Sequence, residues 1–113
     1  DTLAYSNGFG KEFITILNFD SGEDRLEKSY WSTQASEVGA STAASIIGGA
    51  LGLTVAESDL GLSTGFEGAT AMVTYNGDTY FLEGDGDTVF EDGEAIFRFV
   101  GEADIVSSDI WLV

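Results

Sequence analysis

Apolar and β-branched residues dominate both ends of the chain, and these segments predict β-strands. In the N-terminal part the predicted strands are Thr2–Tyr5, Glu12–Phe19 and 25–31. They are rich in Phe, Ile, Thr and Tyr, the residue types that fit a pleated, half-buried surface. Turn sequences separate them, Asn7-Gly8 in the first gap and DSGED in the second. The N-terminal part is therefore predicted to be β-structure.

A β-hairpin between Ala69 and Glu83 is the clearest local signal. Two apolar runs flank Asn76-Gly77, a dipeptide favoured in type I′ turns because both of its residues must take positive φ. Two further strands are predicted beyond the hairpin, in the sequence EAIFRFV and in the C-terminal IWLV.

The middle of the chain, from Ser32 to Leu53, consists mainly of Ala, Ser, Gly and small aliphatic residues. Apolar residues recur there at helical spacing and predict an α-helix over about residues 41–51. Gly48 and Gly49 oppose it, since each Gly in a helix interior costs about 1 kcal/mol relative to Ala. The small-residue face suits close packing, within the subunit or between subunits.

A capping-box pattern follows the helix, with Thr54 as the cap and Glu57 reaching back. It predicts one short helical turn before Gly61. No linker interrupts the chain, so residues 1–113 are predicted to form a single domain. Together the elements predict a mainly β fold, a sandwich or roll of about seven strands, with one packed α-helix.

Charge restricts the partners of this domain. The sequence contains twenty Asp and Glu residues but only four Lys and Arg residues, which gives a formal net charge of −16. Such a chain repels nucleic-acid phosphates and anionic lipids, so we expect neither as a partner. It favours metal cations, cationic partners or a high-salt environment, as in a halophile, because cations and salt relieve self-repulsion. No apolar run reaches membrane-spanning length.

Residues that commonly carry catalysis are missing. The sequence has no Cys and no His, which removes the commonest general base and the commonest zinc ligand. A Ser nucleophile lacks a base, and in so acidic a chain a carboxylate pair of the glycosidase type arises readily by chance. We therefore expect that the chain is not an enzyme.

The sequence GDGDTVFEDGE concentrates carboxylates between two predicted strands. Asp85, Asp87, Glu91 and Asp92 are candidate ligands, because Ca²⁺ binds about six to eight hard oxygen donors. The start DGDT is similar to the opening of an EF-hand loop, but the later Gly and Glu of that loop are absent. The alternative interpretation is a solvated hairpin loop.

A second acidic cluster lies in FDSGEDR, where Asp20 and Asp24 are the further candidate metal ligands. The alternative is a turn in which Asp20 caps its own backbone and Arg25 pairs with a neighbour.

The C-terminal residues Ile110, Trp111, Leu112 and Val113 are all apolar. Such an apolar strand is either buried in its own sheet or added to the sheet edge of a neighbouring molecule. Because of the second possibility, these residues are predicted to serve in assembly. The aromatic residues elsewhere suit a sugar-binding face or core packing, and core packing is the favoured interpretation.

Two segments resemble the C-terminal β-domain of bacterial RTX-type and surface-layer exoproteins. The first matches the pattern I-x-x-F-x-x-G-x-D-x-I/L, found after the calcium-binding repeats, at Ile16, Phe19, Gly22, Asp24 and Leu26. The second matches a hairpin, an acidic loop, a strand and a terminal strand, at Gly77–Tyr80, Asp85–Asp87, Ile96–Val100 and Ser108–Ile110. Residues 31–68 match only in being helical and rich in Ala and Ser.

The resemblance implies a calcium-dependent bacterial exoprotein, exported by type I secretion and located at the cell surface or outside the cell. The Gly-rich nonapeptide repeats of the family are absent, so calcium is expected only at the acidic loop. We expect a structural subunit that forms a homo-oligomer or polymer, such as a surface layer or filament, with calcium bridging acidic surfaces. The alternative is the C-terminal secretion or anchoring domain of a larger calcium-dependent exoprotein, such as an adhesin or a protease.

Overall fold

The computed structural model describes residues 2–5, 12–28, 40–63, 70–83 and 95–112. These residues form eight β-strands and one α-helix, joined by two short 3₁₀-helices. The strands are β1 (Thr2–Tyr5), β2 (Glu12–Ile16), β3 (Arg25–Lys28), β4 (Gly61–Ser63), β5 (Thr70–Tyr75), β6 (Asp78–Glu83), β7 (Ala95–Phe99) and β8 (Ile110–Leu112). The helix is α1 (Ala40–Leu51), and the 3₁₀-helices are Glu57–Asp59 and Ser107–Asp109. The predicted mainly β fold with one packed helix is confirmed, and β4 is the strand that the sequence did not predict.

The strands form two sheets. The small sheet has the order β1-β3-β8 and is parallel throughout, with Leu26 opposite both Leu3 and Ile110. The large sheet has the order β2-β7-β6-β5-β4, in which β2 and β7 are parallel and the other pairs are antiparallel. The chain thus passes between the sheets from β1 to β2, back to β3, and again from β7 to β8. This alternation is the arrangement of a parallel roll, which the β5–β6 hairpin and β4 extend.

The large sheet is the middle layer of the molecule. One of its faces packs against the small sheet, in a core that includes Ile16, Phe81, Phe97 and Phe99 with Leu26 and Ile110. Its other face packs against the helix, in a core that includes Val73, Tyr80, Leu82 and Ile96 with Ala43, Ile46 and Ile47. Side chains alternate between the two faces of a strand, and here both faces are buried. The sequences of β6 and β7 are therefore nearly continuous apolar runs.

Two left-handed residues define the hairpin between β5 and β6. Asn76 has φ 54° and Gly77 has φ 85°, as a type I′ turn requires. A third, Asn18 with φ 59°, ends β2 earlier than the apolar run suggested. The turn at Asn18 places Phe19 in the core, where its ring meets Phe99 edge-on at 4.8 Å between centroids.

The end of α1 explains two of the glycines in this part of the chain, Gly48 and Gly52. Gly52 has φ 73°, and the N–H of Leu53 donates to the Gly48 carbonyl at 2.9 Å, which is the Schellman arrangement. A Cβ on Gly48 would lie 2.7 Å from the Leu53 carbonyl oxygen, so only glycine fits there. The predicted capping box is wrong: the 3₁₀-helix begins at Glu57, after Ala56 and without a side-chain cap. Val55 packs against the helix-side core and Ala56 is extended, so the 3₁₀-helix begins two residues later than a cap at Thr54 requires.

Candidate functional site

The acidic loop that the sequence singled out lies outside the described residues. Asp85, Asp87, Glu91 and Asp92 all belong to the segment 84–94. A calcium site at these carboxylates therefore stays a prediction.

Asp20 and Asp24 bracket the turn between β2 and β3. The Asp20 carbonyl accepts the N–H groups of Glu23 at 3.1 Å and of Asp24 at 2.8 Å, and the Asp24 carboxylate accepts the Asp20 N–H at 2.9 Å. The side chain that caps the backbone is thus that of Asp24, whereas the sequence suggested Asp20. Arg25 does pair with a neighbour, since its Nη2 lies 3.8 Å from a carboxylate oxygen of Glu27.

Asp109 is the buried carboxylate that holds this turn against the C-terminal part of the chain. Its side chain is 3% exposed, and its Oδ2 accepts the hydroxyl of Ser21 at 2.7 Å and the N–H of Val106 at 3.0 Å. Its Oδ1 accepts the N–H of Gly22 at 2.9 Å, where φ is 86°. Burial acts to raise the pKa of Asp109, but the three hydrogen bonds to its ionised form outweigh burial and hold that pKa below its ordinary value.

These hydrogen bonds join the two segments that resemble RTX-type proteins. Within the first, Ile16, Phe19 and Leu26 are core residues, Gly22 supplies the left-handed turn, and Asp24 caps that turn. In the second, the Asp of the motif Ser108–Ile110 is the residue that binds the Gly22 turn. The five matched positions of the first segment therefore all have structural roles in this fold.

A polar cavity of about 320 Å³ lies beside this junction, lined by Gly22, Glu23, Asp24, Arg25, Ser108 and Asp109. Two of its carboxylates already accept hydrogen bonds within the chain, since Asp109 accepts three and Asp24 accepts the Asp20 N–H. The part of the chain that the structure describes holds no group of three or more Asp, Glu, His or Cys side chains placed to bind a metal ion. Asp20 and Asp24 thus lack a third such ligand within the described residues.

Acidic side chains also meet beyond β7. The pKa of Glu102 lies above its ordinary value, because partial burial and the neighbouring negative charges of Asp104 and Asp20 disfavour its ionised form. A bound or nearby cation would relieve this repulsion.

A second buried carboxylate fixes the end of the large sheet. Asp78 is 7% exposed, and its Oδ2 accepts Nε of Arg98 at 2.8 Å and lies 2.7 Å from Nη2 of the same guanidinium. Its Oδ1 accepts the N–H of Gly101 at 2.7 Å, in the turn after β7. The hydrogen bond to Asp78 raises the pKa of Arg98, whose guanidinium also lies 6.0 Å from the centre of the Tyr80 ring. This ion pair connects the hairpin with the turn after β7.

Asp78 and Asp109 lie in the motifs that the sequence matched, but the sequence did not predict their roles as buried carboxylates that bind turns. Asp78 begins β6 and Asp109 directly precedes β8. A single acid at such a position looks in the sequence like an ordinary surface residue. The signal available for Asp109 was its place between Ser108 and an apolar terminal strand.

The predicted assembly residues form β8. Ile110, Trp111 and Leu112 pair in parallel with β3, and Ile110 is buried in the core between the sheets. Val113 lies outside the described residues. The structure thus places this strand in the chain's own sheet, as an edge strand of the described part.

The aromatic residues that the structure describes favour core packing over an exposed sugar-binding face. Tyr80 and Phe97 are buried, and the half-buried Tyr75 packs against the helix-side core.

No protein-family model, no curated protein and no solved structure matches this chain. The resemblance to RTX-type exoproteins therefore rests on the quoted motifs alone. None of the helices in the described residues has the length and the apolar character needed to cross a membrane.

Proposed function

We propose that the chain is a secreted bacterial structural subunit that assembles into a filament or layer at the cell surface, with calcium bridging its acidic surfaces. The observation that carries the proposal is the position of the terminal strands. β1 and β8 are the two outer strands of the small sheet in the described part of the chain. An outer strand offers unpaired N–H and C=O groups to a strand of another molecule.

The charge of the chain supports a role for cations in this assembly. Two copies with a net charge of −16 repel each other unless cations neutralise the surfaces that meet. Acidic side chains repel one another within one chain as well, since the negative charges of Asp104 and Asp20 help to raise the pKa of Glu102. The proposed calcium ligands remain those of the acidic loop, Asp85 to Asp92. The proposal assigns no catalytic role to the chain.

The test is static light scattering of the purified chain during a calcium titration, followed by addition of EDTA. Magnesium at matched ionic strength is the control for screening. We expect the mass to rise with calcium, to fall with EDTA and to stay low in magnesium. A mass that remains at the 11.9 kDa of one chain under every condition contradicts the proposal.

A second function is favoured by the hydrogen bond between Gly22 and Asp109, which joins the two segments that resemble RTX-type exoproteins. Because Asp109 binds the Gly22 turn, both motifs belong to one folded unit, as expected of a C-terminal secretion or anchoring domain of a larger calcium-dependent exoprotein. The gene distinguishes the two functions: a long open reading frame continuing upstream of Asp1 favours the domain, and a short one favours the subunit.

A further inference from the structure

We propose that Asn76 is a site of spontaneous deamidation, which alters the main chain of the β5–β6 hairpin and loosens the buried ion pair beside it. In this reaction the side-chain amide of an asparagine is attacked by the main-chain nitrogen of the next residue. A following glycine hinders that nitrogen least, because it has no side chain. The reaction needs water and no partner, so the inference is independent of the proposed assembly.

The reaction at this turn loses ammonia and takes up water. The Gly77 nitrogen forms a bond to the side-chain carbonyl carbon of Asn76, and the bond between that carbon and the side-chain nitrogen breaks. The Gly77 nitrogen gives up its proton and the side-chain nitrogen leaves as ammonia, which produces a cyclic imide. Water then opens either carbonyl of the ring. One product is aspartate, and the other is isoaspartate, in which the main chain runs through the former side chain.

Asn76 and Gly77 form an exposed turn at the tip of the hairpin. They lie between Tyr75 and Asp78, which pair directly with each other, so only the two turn residues have to change conformation for the reaction. A Cβ built on Gly77 would meet nothing within 4 Å, because the space around it is open. The peptide group between Asn76 and Gly77 can therefore rotate toward the geometry of the imide without displacing the core.

Asn18 is the internal comparison, since it is also exposed and left-handed, with φ 59° against 54° at Asn76. The residue after it is Phe19, which is 1% exposed and packs its ring against Phe99 at 4.8 Å between centroids. Rotation of the peptide group after Asn18 would pull this ring out of the core, which costs free energy. The fold therefore protects Asn18 and leaves Asn76 open to the reaction.

The isoaspartate product changes the hairpin beyond its turn. It adds a methylene group to the main chain, whereas a type I′ turn joins its strands through two ordinary residues. Asp78 begins β6 directly after the turn and is 7% exposed, with its carboxylate bound to Arg98 and to the Gly101 N–H. Displacement of Asp78 weakens both contacts. The aspartate product keeps the turn, because Asp-Gly also suits type I′.

Peptide mass mapping of the full chain after incubation at mildly alkaline pH tests the proposal. Trypsin cleaves after Lys and Arg, and the four such residues place each of the three asparagines in a peptide of its own. We expect the Asn76 peptide to acquire the mass of the carboxylate about tenfold faster, or more, than the Asn18 peptide. A sample unfolded in urea, in which the turn no longer exists, is the positive control. If the Asn76 peptide keeps its mass in the folded chain while the unfolded sample reacts, the proposal is overturned.

Two variants test the consequence for the hairpin. Asn76→Gly removes the reacting amide and keeps a residue that readily takes positive φ. After the same incubation, we expect the urea midpoint of the wild type to fall and that of Asn76→Gly to stay unchanged. Asn76→Asp, measured without incubation, adds the charge alone and should unfold close to the fresh wild type. An equal fall in incubated Asn76→Gly, or a fresh Asn76→Asp as unstable as the incubated wild type, overturns the role of isoaspartate in loosening the hairpin.

Discussion

Removal of the Asp109 carboxylate is the perturbation with the most direct structural consequence. Asp109→Ala takes away the acceptor of the Ser21 hydroxyl and of the Gly22 and Val106 N–H groups. Asp109→Asn keeps the size of the side chain but replaces one acceptor oxygen with a donor. Ser21 can rotate its hydroxyl to accept, whereas a backbone N–H cannot. The asparagine therefore leaves at least one N–H without an acceptor, whichever way its amide is turned.

The size of the effect follows from these bonds. A hydrogen bond to a charged group contributes about 1.5–3 kcal/mol, and a buried donor without an acceptor costs about 1–3 kcal/mol. The polar cavity of about 320 Å³ beside Asp109 gives water access to part of this site, so the three losses do not add in full. We expect Asp109→Ala to lower the free energy of unfolding by about 2–4 kcal/mol and Asp109→Asn by about 1–2 kcal/mol.

Urea unfolding followed by circular dichroism measures these changes. Ser21→Ala removes one of the three donors and is expected to cost about 1 kcal/mol. Asp59→Asn is the control, since Asp59 is exposed and its substitution should stay within about 0.5 kcal/mol of the wild type. If Asp109→Ala is also within that range, Asp109 does not hold the turn and the reasoning is refuted.

The same carboxylate predicts a pH dependence. Because the folded-state pKa of Asp109 is lowered, its stabilisation is complete well above the ordinary pKa of 3.8 and is lost as the pH falls through the folded-state value. The wild type should therefore lose stability on acidification from about pH 5 downward more steeply than Asp109→Asn does. Parallel profiles for the two proteins in urea unfolding at several pH values would contradict this assignment.

Two further predictions concern the packing of the large sheet and the helix. Gly48→Ala is expected to destabilise by about 1–3 kcal/mol, because its Cβ would meet a carbonyl oxygen at 2.7 Å, whereas Gly49→Ala, with nothing within 4 Å, should stabilise by about 0.5–1 kcal/mol. Urea unfolding of the two variants checks this, and equal effects would contradict the close approach at Gly48. Asp78→Asn should lower the free energy of unfolding by about 1–2 kcal/mol in the same assay, since Gly101 and Arg98 lose a charged acceptor. The Arg98 side chain is 35% exposed, so water compensates for part of this loss, and a cost near zero would contradict the role of Asp78.

Local patterns were sufficient to predict most elements of this fold. The Asn76-Gly77 turn, the small-residue helix and the apolar runs of β6 and β7 depend on propensity and on period, which neighbouring residues encode. Errors arose where tertiary packing decided the outcome. After α1 the partly buried Val55 packs against the helix-side core and the extended Ala56 precedes the 3₁₀-helix, so the capping box at Thr54 does not form. β4, with three residues, is too short for a recognisable pattern.

The arrangement of the strands was not readable from the sequence. Parallel pairing of β1, β3 and β8 brings residues close together that are far apart along the chain, and no local pattern encodes such a pairing. For the same reason the sequence did not reveal that Asp109 binds Ser21 and Gly22. The acidic clusters, by contrast, were visible at once, because composition alone shows them.

The measurement that tests the central claim most directly is sedimentation velocity of the wild-type chain in calcium over a wide range of protein concentrations. Self-assembly through strand edges predicts a sedimentation coefficient that increases with concentration and species well above the 11.9 kDa of one chain. A single species of that mass at every concentration would contradict the account and leave the domain of a larger exoprotein as the better interpretation.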